Sequence, residues 1–189
     1  MTASSGFTMI LSRQVFLLLP LALLLAGCQP TSDRAAALKG VRLVPFTMEF
    51  SRTKAPNLSI QVPFGFMVES VSEAKHDMFY VVNPNDSGNP QRGMAVIQLR
   101  PAPNPIIPDS SATGTSKGIL LGEGIDWNEA TLDDESPRVL QREVILEEPF
   151  PTPQPMKLQA FVVGMDSALV EQLVACVETL SRDTSGARR

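Results

Sequence analysis

The chain is poor in the residue types that most chemical sites require. Its 189 residues include one histidine and two cysteines, which excludes a disulfide-dense scaffold and a zinc site built from cysteines. Lys and Arg number 16 against 20 Asp and Glu, for a net charge of −4. Because nucleic-acid binders usually carry a basic excess, we expect no nucleic-acid partner. Hydrophobic residues make up 43% of the chain, enough for a folded core.

The sequence also lacks the short motifs of common enzymes. It contains no Gly-x-Ser-x-Gly, no His-Glu-x-x-His and no phosphate-binding glycine-rich loop. His76 and Asp77 are adjacent, so on a strand they would point to opposite faces rather than act together. The acidic residues 133–135 lack the spaced ligands of a calcium loop. We therefore expect no enzyme activity, no metal and no cofactor, and we interpret Cys176 as a small buried hydrophobe.

An apolar run near the N-terminus indicates where the protein resides. Residues 15–26 follow Arg13 and are too few to cross a bilayer, which takes about 20 residues. A positive charge, an apolar run and small residues are the order of a secretory signal. The run ends in Leu-Ala-Gly-Cys at residues 25–28, which resembles the bacterial lipobox. Two starts, Met1 and Met9, fit this pattern. The alternatives are an ordinary signal peptide with a chance cysteine, or a buried apolar helix.

The lipobox resemblance implies a lipoprotein. Residues 1–27 would be removed as the signal peptide, and Cys28 would become the acylated, palmitate-bearing N-terminus. Several acyl chains anchor a protein stably, whereas one binds only marginally. Gln29 stands after the cysteine where an Asp would signal retention, so similarity to enterobacterial sorting favours the periplasmic side of the outer membrane over the inner membrane. The expected partners are the membrane, through the anchor, and another envelope protein.

The remaining chain divides into three parts. Residues 28–40 are small and polar and predict a flexible tether, with room for a helical turn at 35–38. Residues 41–181 predict one domain, and residues 182–189 predict a disordered tail. Alternating or apolar runs predict strands at 44–50, 58–62, 78–82, 93–99, 119–127, 139–146 and 156–163.

One helix is expected near the end of the domain. Apolar residues recur at helical spacing over 167–180, with polar residues on the other side. A helix of this length needs a tertiary surface to be stable. The predicted fold class is therefore α+β, a single antiparallel sheet of about six or seven strands with the C-terminal helix packed on it. Within the strand at 119–127, Gly122 and Gly124 predict a bulge or bend.

The stretch Leu-Ser-Ile-Gln-Val-Pro-Phe-Gly-Phe at 58–66 resembles the opening of PsbP-like domains. Runs at 77–82 and 93–99, and the final strand and helix, fall where further elements of that family would lie. The resemblance implies an antiparallel sheet flanked by helices and a noncatalytic accessory role. The chain departs from the family at 101–118, where a proline-rich loop replaces a helix.

That loop is the predicted partner surface. Residues 101–118 are rich in Pro, Ser, Gly and Thr and predict a mobile segment. Ile106 and Ile107 interrupt it, and either they tuck onto the sheet or they are presented to a partner, together with Trp127. The leading hypothesis is a noncatalytic binding or assembly accessory to another envelope component. The alternative is a small-molecule carrier or hydrolase that acts on envelope material, with a cleft near Trp127 and the loop at 101–118.

Overall fold

The computed structural model of the chain describes residues 33–73, 76–84, 93–133, 138–147, 149–150, 152 and 154–182. The predicted signal peptide, Cys28 and the tail beyond 182 lie outside the described residues, as do Asp134 and Glu135 of the acidic run. The described strands are β1 (Leu43–Met48), β2 (Leu58–Pro63), β3 (Met67–Glu73), β4 (His76–Val82), β5 (Met94–Arg100), β6 (Gly114–Leu120), β7 (Glu123–Leu132), β8 (Val139–Leu146), β9 (Lys157–Gly164) and β10 (Ser181–Arg182). Helix α1 spans Ser167–Glu178, and 3₁₀ helices span Asp33–Leu38 and Asp109–Ser111.

The strands form two sheets, so the expectation of a single sheet is wrong. The larger sheet has the order β3-β4-β5-β9-β8-β7-β6, and the smaller one has the order β1-β2-β10. All strand pairs are antiparallel. The smaller sheet exists because β2 pairs with β1 on one side and with the two-residue β10 on the other. The chain is mostly β-sheet with one C-terminal helix among the described residues, which is compatible with the predicted α+β class.

Helix α1 contacts both sheets and contributes Val170, Leu173, Val174 and Val177 to the main core. The Asp166 side chain caps its start by accepting from the Ala168 N–H at 2.8 Å. Its apolar side contacts β2 of the smaller sheet and β5, β6, β8 and β9 of the larger one. Leu173, the central residue of that side, is fully buried. The Thr179 hydroxyl accepts from the Gln61 N–H at 2.8 Å and so ties the end of the helix to β2.

The region predicted as one bent strand at 119–127 is a hairpin. Strands β6 and β7 pair antiparallel from Gly114 opposite Glu129 to Leu120 opposite Glu123. The two residues between them both have positive φ, 54° at Leu121 and 85° at Gly122. This is the conformation of the two-residue turn that matches the twist of paired strands. Because β6 begins at Gly114, the predicted loop at 101–118 is shortened to 101–113.

The packed structure begins earlier than predicted. Residues 33–38, assigned to the flexible tether, form a 3₁₀ helix that contacts α1. Arg34 contributes to this contact, and its side chain is only 11% exposed. Arg34 forms ion pairs with Glu129, Glu171 and Glu178, so residues 33–38 of the predicted tether are attached to the domain.

Candidate functional site

An apolar turn projects from the end of the smaller sheet. Strand β2 ends at Pro63, and the Phe66 N–H donates to the Pro63 carbonyl at 3.0 Å. Gly65 has φ +96°, the conformation that the third position of a type II turn requires and that glycine adopts without strain. Phe64 therefore occupies the second turn position, where it is 64% exposed.

A groove of about 260 Å³ lies beside this turn. We call it the Phe64 groove. Its lining side chains are all aliphatic, aromatic or proline, and its residues are Val44, Pro45, Phe46, Val62, Pro63, Phe64, Gly65, Phe66 and Val68. Phe46, Phe66 and Val68 are half-buried and pack against the main core, so these walls are held in place. Val44 and Phe64 are exposed at the rim.

A cation lies beside the groove, over the Phe64 ring. The Arg42 guanidinium carbon lies 4.4 Å from the centroid of the Phe64 ring, and the Phe64 N–H donates to the Arg42 carbonyl at 2.7 Å. A cation over an exposed aromatic ring contributes about 0.5–1 kcal/mol. The groove thus combines an apolar surface with one positive charge. This combination suits an apolar side chain that has a carboxylate next to it.

The structure separates the two isoleucines of the predicted partner surface. Ile107 is 1% exposed, whereas Ile106 is 44% exposed. Ile107 packs with Val96, Ala130 and Phe161 in a second hydrophobic cluster, distinct from the main core. The loop at 101–113 is therefore attached to the larger sheet through Ile107, while Ile106 is available at the surface.

A buried carboxylate fixes the backbone of the same loop. Glu143 on β8 is 1% exposed and accepts from the Ile106 N–H at 2.9 Å and the Ile107 N–H at 2.8 Å. Gln159 donates to Glu143 and, at 3.0 Å, to the Asn104 carbonyl, and Gln98 donates to Gln159. Buried polar groups need hydrogen-bond partners. The backbone of the loop supplies partners for Glu143 and Gln159, and Gln159 supplies one for Gln98, which explains why these three polar side chains can be buried.

Trp127 does not lie on a surface. Its side chain is 0% exposed, and its indole N–H donates to Glu178 on α1 at 2.9 Å. The side chain is therefore part of the core between β7 and the helix. Neither a partner surface nor a cleft can use Trp127 directly in this arrangement.

Asp77 has a structural role that the sequence did not reveal. It is 1% exposed and accepts from the backbone N–H groups of Arg52 and Thr53, both at 3.0 Å. The hydroxyls of Thr53 and Ser72 also donate to it, each at 3.1 Å. The carboxylate therefore fixes the turn that follows β1. His76 pairs across the sheet with Glu73, as a half-buried residue at the first position of β4.

The described residues offer few other reactive groups. Burial raises the pKa of the Cys176 thiol from 9.0 to about 12, so this cysteine is held in its unreactive protonated form. No three His, Cys, Asp or Glu side chains in the described ranges are grouped so as to hold a metal ion. Among the same residues, no helix has the length and hydropathy needed to cross a membrane.

Comparison with known proteins gives no relative. No family model, no curated protein and no solved structure matches the chain. The resemblance of residues 58–66 to PsbP-like domains stays a prediction. Inferences about function therefore depend on the residues and geometry of this chain.

Sequence reasoning missed both the Phe64 groove and Arg34. The Phe-Gly-Phe sequence at 64–66 was used only as a family resemblance, although a glycine after an aromatic residue also indicates a turn that exposes that residue. Arg34 stands in a short alanine-rich segment that has no periodicity. Nothing local in that segment predicts that three carboxylates from β7 and α1 surround it.

Proposed function

We propose that the chain is a lipid-anchored envelope protein that acts without catalysis, as a binding or assembly accessory to another envelope component. The lipobox resemblance at residues 25–28 supports the anchor at Cys28 and, with Gln29, a place on the periplasmic side of the outer membrane. The PsbP-like resemblance agrees with an accessory role. The residues that carry it, 58–66, also form β2 and the exposed Phe64 turn.

The observation that carries the binding role is the exposed ring of Phe64 beside a preformed apolar groove. Large apolar side chains are usually buried, and an exposed aromatic at the rim of an apolar depression is typical of an interaction site. Arg42 adds a positive charge to the rim in a chain whose net charge is −4. We assign the groove to a segment of an envelope protein that presents an apolar side chain next to a carboxylate.

A photoreactive phenylalanine analogue placed at Phe64 tests this assignment in whole cells. The same analogue at Ile106 is the matched control, because both are exposed apolar residues and only one lines the groove. We expect a discrete protein adduct from position 64. It should be lost when Arg42→Glu reverses the charge of the rim, and kept with Arg52→Glu, which reverses an exposed charge beyond the other end of β1.

The other outcomes discriminate between the hypotheses. An adduct at position 106 alone would place the partner on the loop and overturn the groove assignment. An adduct at 64 that is insensitive to Arg42→Glu would contradict the carboxylate partner. A small-molecule adduct at 64, without a protein adduct, would favour the carrier alternative, whose ligand would then occupy the same groove.

A further inference from the structure

The side chain of Arg34 joins residues 33–38, which we call the entry segment, to three elements of the domain. Its guanidinium donates to Glu171 of α1 at 2.8 Å and to the Lys117 carbonyl of β6 at 2.7 Å. It lies 3.2 Å from Glu178 of α1 and 3.8 Å from Glu129 of β7. We call this set of contacts the Arg34 clasp.

The clasp should stabilise the attachment of the entry segment more than an ordinary surface ion pair would. Exposed pairs contribute little because water and salt screen them, but the side chains of Arg34 and Glu178 are only 11% and 5% exposed. A guanidinium presents five N–H donors in a rigid fork, so it satisfies several acceptors at once. Arg142 on β8 contacts two of these carboxylates, Glu129 at 3.2 Å and Glu171 at 3.5 Å, which extends the clasp to a third strand of the larger sheet.

The rest of the entry segment also lies against α1, although the side chains of residues 35–38 are at most half-buried. Ala35 and Ala36 are exposed, and Ala37 and Leu38 are only half-buried. The 3₁₀ helix Asp33–Leu38 has six residues, longer than the three or four that such helices usually sustain. The clasp adds to these contacts the Arg34 hydrogen bonds to α1 and β6, which fix the position of the segment.

The clasp also limits how far the domain stands from the lipid anchor. Only residues 29–32 separate Cys28 from Asp33, and five residue steps span at most about 18 Å when fully extended. With the clasp open, the free link would run to Val41, and its thirteen steps would span at most about 47 Å.

We propose that the Arg34 clasp holds the domain at the membrane surface, so that the partner of the Phe64 groove is a protein segment lying close to the same membrane. This inference rests on the proposed function, because it requires acylation of Cys28. It further implies that opening the clasp lengthens the reach of the domain without any change in the groove itself.

The test uses the mature chain, which begins at the acylated Cys28, reconstituted in phospholipid vesicles. A donor fluorophore is attached at Glu123→Cys, an exposed residue at the β6–β7 turn, and acceptor lipids report its distance from the membrane. A second label at the exposed Lys54→Cys separates a longer reach from a rotation of the domain. The chain with Arg34 intact is compared with Arg34→Ala, with Arg34→Lys and with Glu171→Gln.

We expect energy transfer at both label positions to fall in Arg34→Ala. It should fall less in Arg34→Lys, which keeps the positive charge but loses the planar guanidinium that reaches several acceptors at once. A chain with Arg34 intact and eight Gly and Ser residues inserted after Gln29 should show the same fall, because it lengthens the link directly. Hydrogen exchange over residues 33–40 should become about tenfold faster or more in Arg34→Ala and remain slow in the insertion chain. Glu171→Gln weakens the clasp without leaving a buried charge unpaired, and it replaces Arg34→Ala if that variant fails to fold.

Two results would overturn the inference. Exchange that stays slow in both Arg34→Ala and Glu171→Gln would show that the clasp does not hold the segment. Faster exchange with unchanged energy transfer would show that the clasp does not set the reach. Failure of the anchor itself is distinguishable, because the chain would then neither incorporate palmitate nor bind vesicles, whereas hydrogen exchange would still report the clasp.

Discussion

Adjacent isoleucines with opposite burial give a direct test of how the loop at 101–113 is attached. Ile107 is 1% exposed and Ile106 is 44% exposed. Replacing a buried isoleucine with alanine removes its transfer free energy and leaves a cavity, and we expect Ile107→Ala to cost about 2–3 kcal/mol, toward the lower end because the cluster is small. Ile106→Ala should stay within about 0.5 kcal/mol of the parent protein, as surface substitutions usually do. Both substitutions leave the backbone N–H groups that bond to Glu143 in place.

Thermal unfolding followed by circular dichroism measures the difference between the two variants. For a domain of this size, the expected loss in Ile107→Ala corresponds to a melting temperature lower by about 5–10 °C. Hydrogen exchange at the Ile106 and Ile107 amides should rise in Ile107→Ala, because the loop then loses its apolar contact with the sheet. Equal melting temperatures for the two variants would refute the attachment through Ile107. A larger loss in Ile106→Ala would show that the loop is turned the other way.

The remaining predictions concern the anchor, the core and the buried thiol. Cys28→Ser should abolish palmitate incorporation and leave the chain unprocessed or soluble, and continued partition into detergent with palmitate label would contradict the lipobox assignment. Leu173→Asp buries an unpaired charge in the core and should unfold the domain, so an unchanged melting temperature would disprove the packing of α1. Gly118→Ala should destabilise the fold by about 1–3 kcal/mol, because a Cβ there would lie 2.6 Å from the indole nitrogen of Trp127, whereas Gly124→Ala meets no atom within 4 Å and should be close to neutral. The pKa of the Cys176 thiol is about 12 in the folded chain and 9.0 in its ordinary state, so the unfolded chain loses this proton first as the pH rises. The free energy of unfolding should therefore fall between pH 9.0 and about 12, and Cys176→Ala should remove this part of the pH dependence.

The parts of the fold that sequence predicted are those with a strong local period. The helix at 167–180 was predicted because its apolar residues recur at helical spacing, and the structure confirms it as Ser167–Glu178 with Asp166 as its cap. Strands with regular alternation, such as β2, were found near their observed bounds. Local pattern could not show that β2 would take Ser181–Arg182 as a partner and so form a second sheet, because that pairing depends on where the helix ends.

The errors arose where tertiary contacts override composition. A hairpin turn beginning with Leu121 needs positive φ at a leucine, which local preference disfavours, so the glycines that follow were interpreted as a bulge. Strand β3 carries Glu69, Ser70 and Ser72 at exposed positions on the edge of the larger sheet, and it therefore lacks the apolar alternation of a predicted strand. The candidate site was missed for a different, local reason, since the exposure of Phe64 depends on the turn at Gly65 and not on the hydrophobicity of its side chain.

The two features that bear on function lie on one continuous piece of chain. Arg34 fixes the entry segment to α1 and β6, and eight residues later Arg42 lies over Phe64 at the rim of the groove. With the clasp closed, Arg34 holds residues 33–38 to α1, and four residues, 29–32, stand between Cys28 and Asp33 in the sequence. A membrane-bound partner would then meet the groove in a restricted range of orientations, which lowers the entropy lost on binding. Opening the clasp should therefore weaken partner capture at Phe64 even though no groove residue changes, and a variant such as Arg34→Ala that captures the partner as well as the parent chain would show that the groove works independently of its tether.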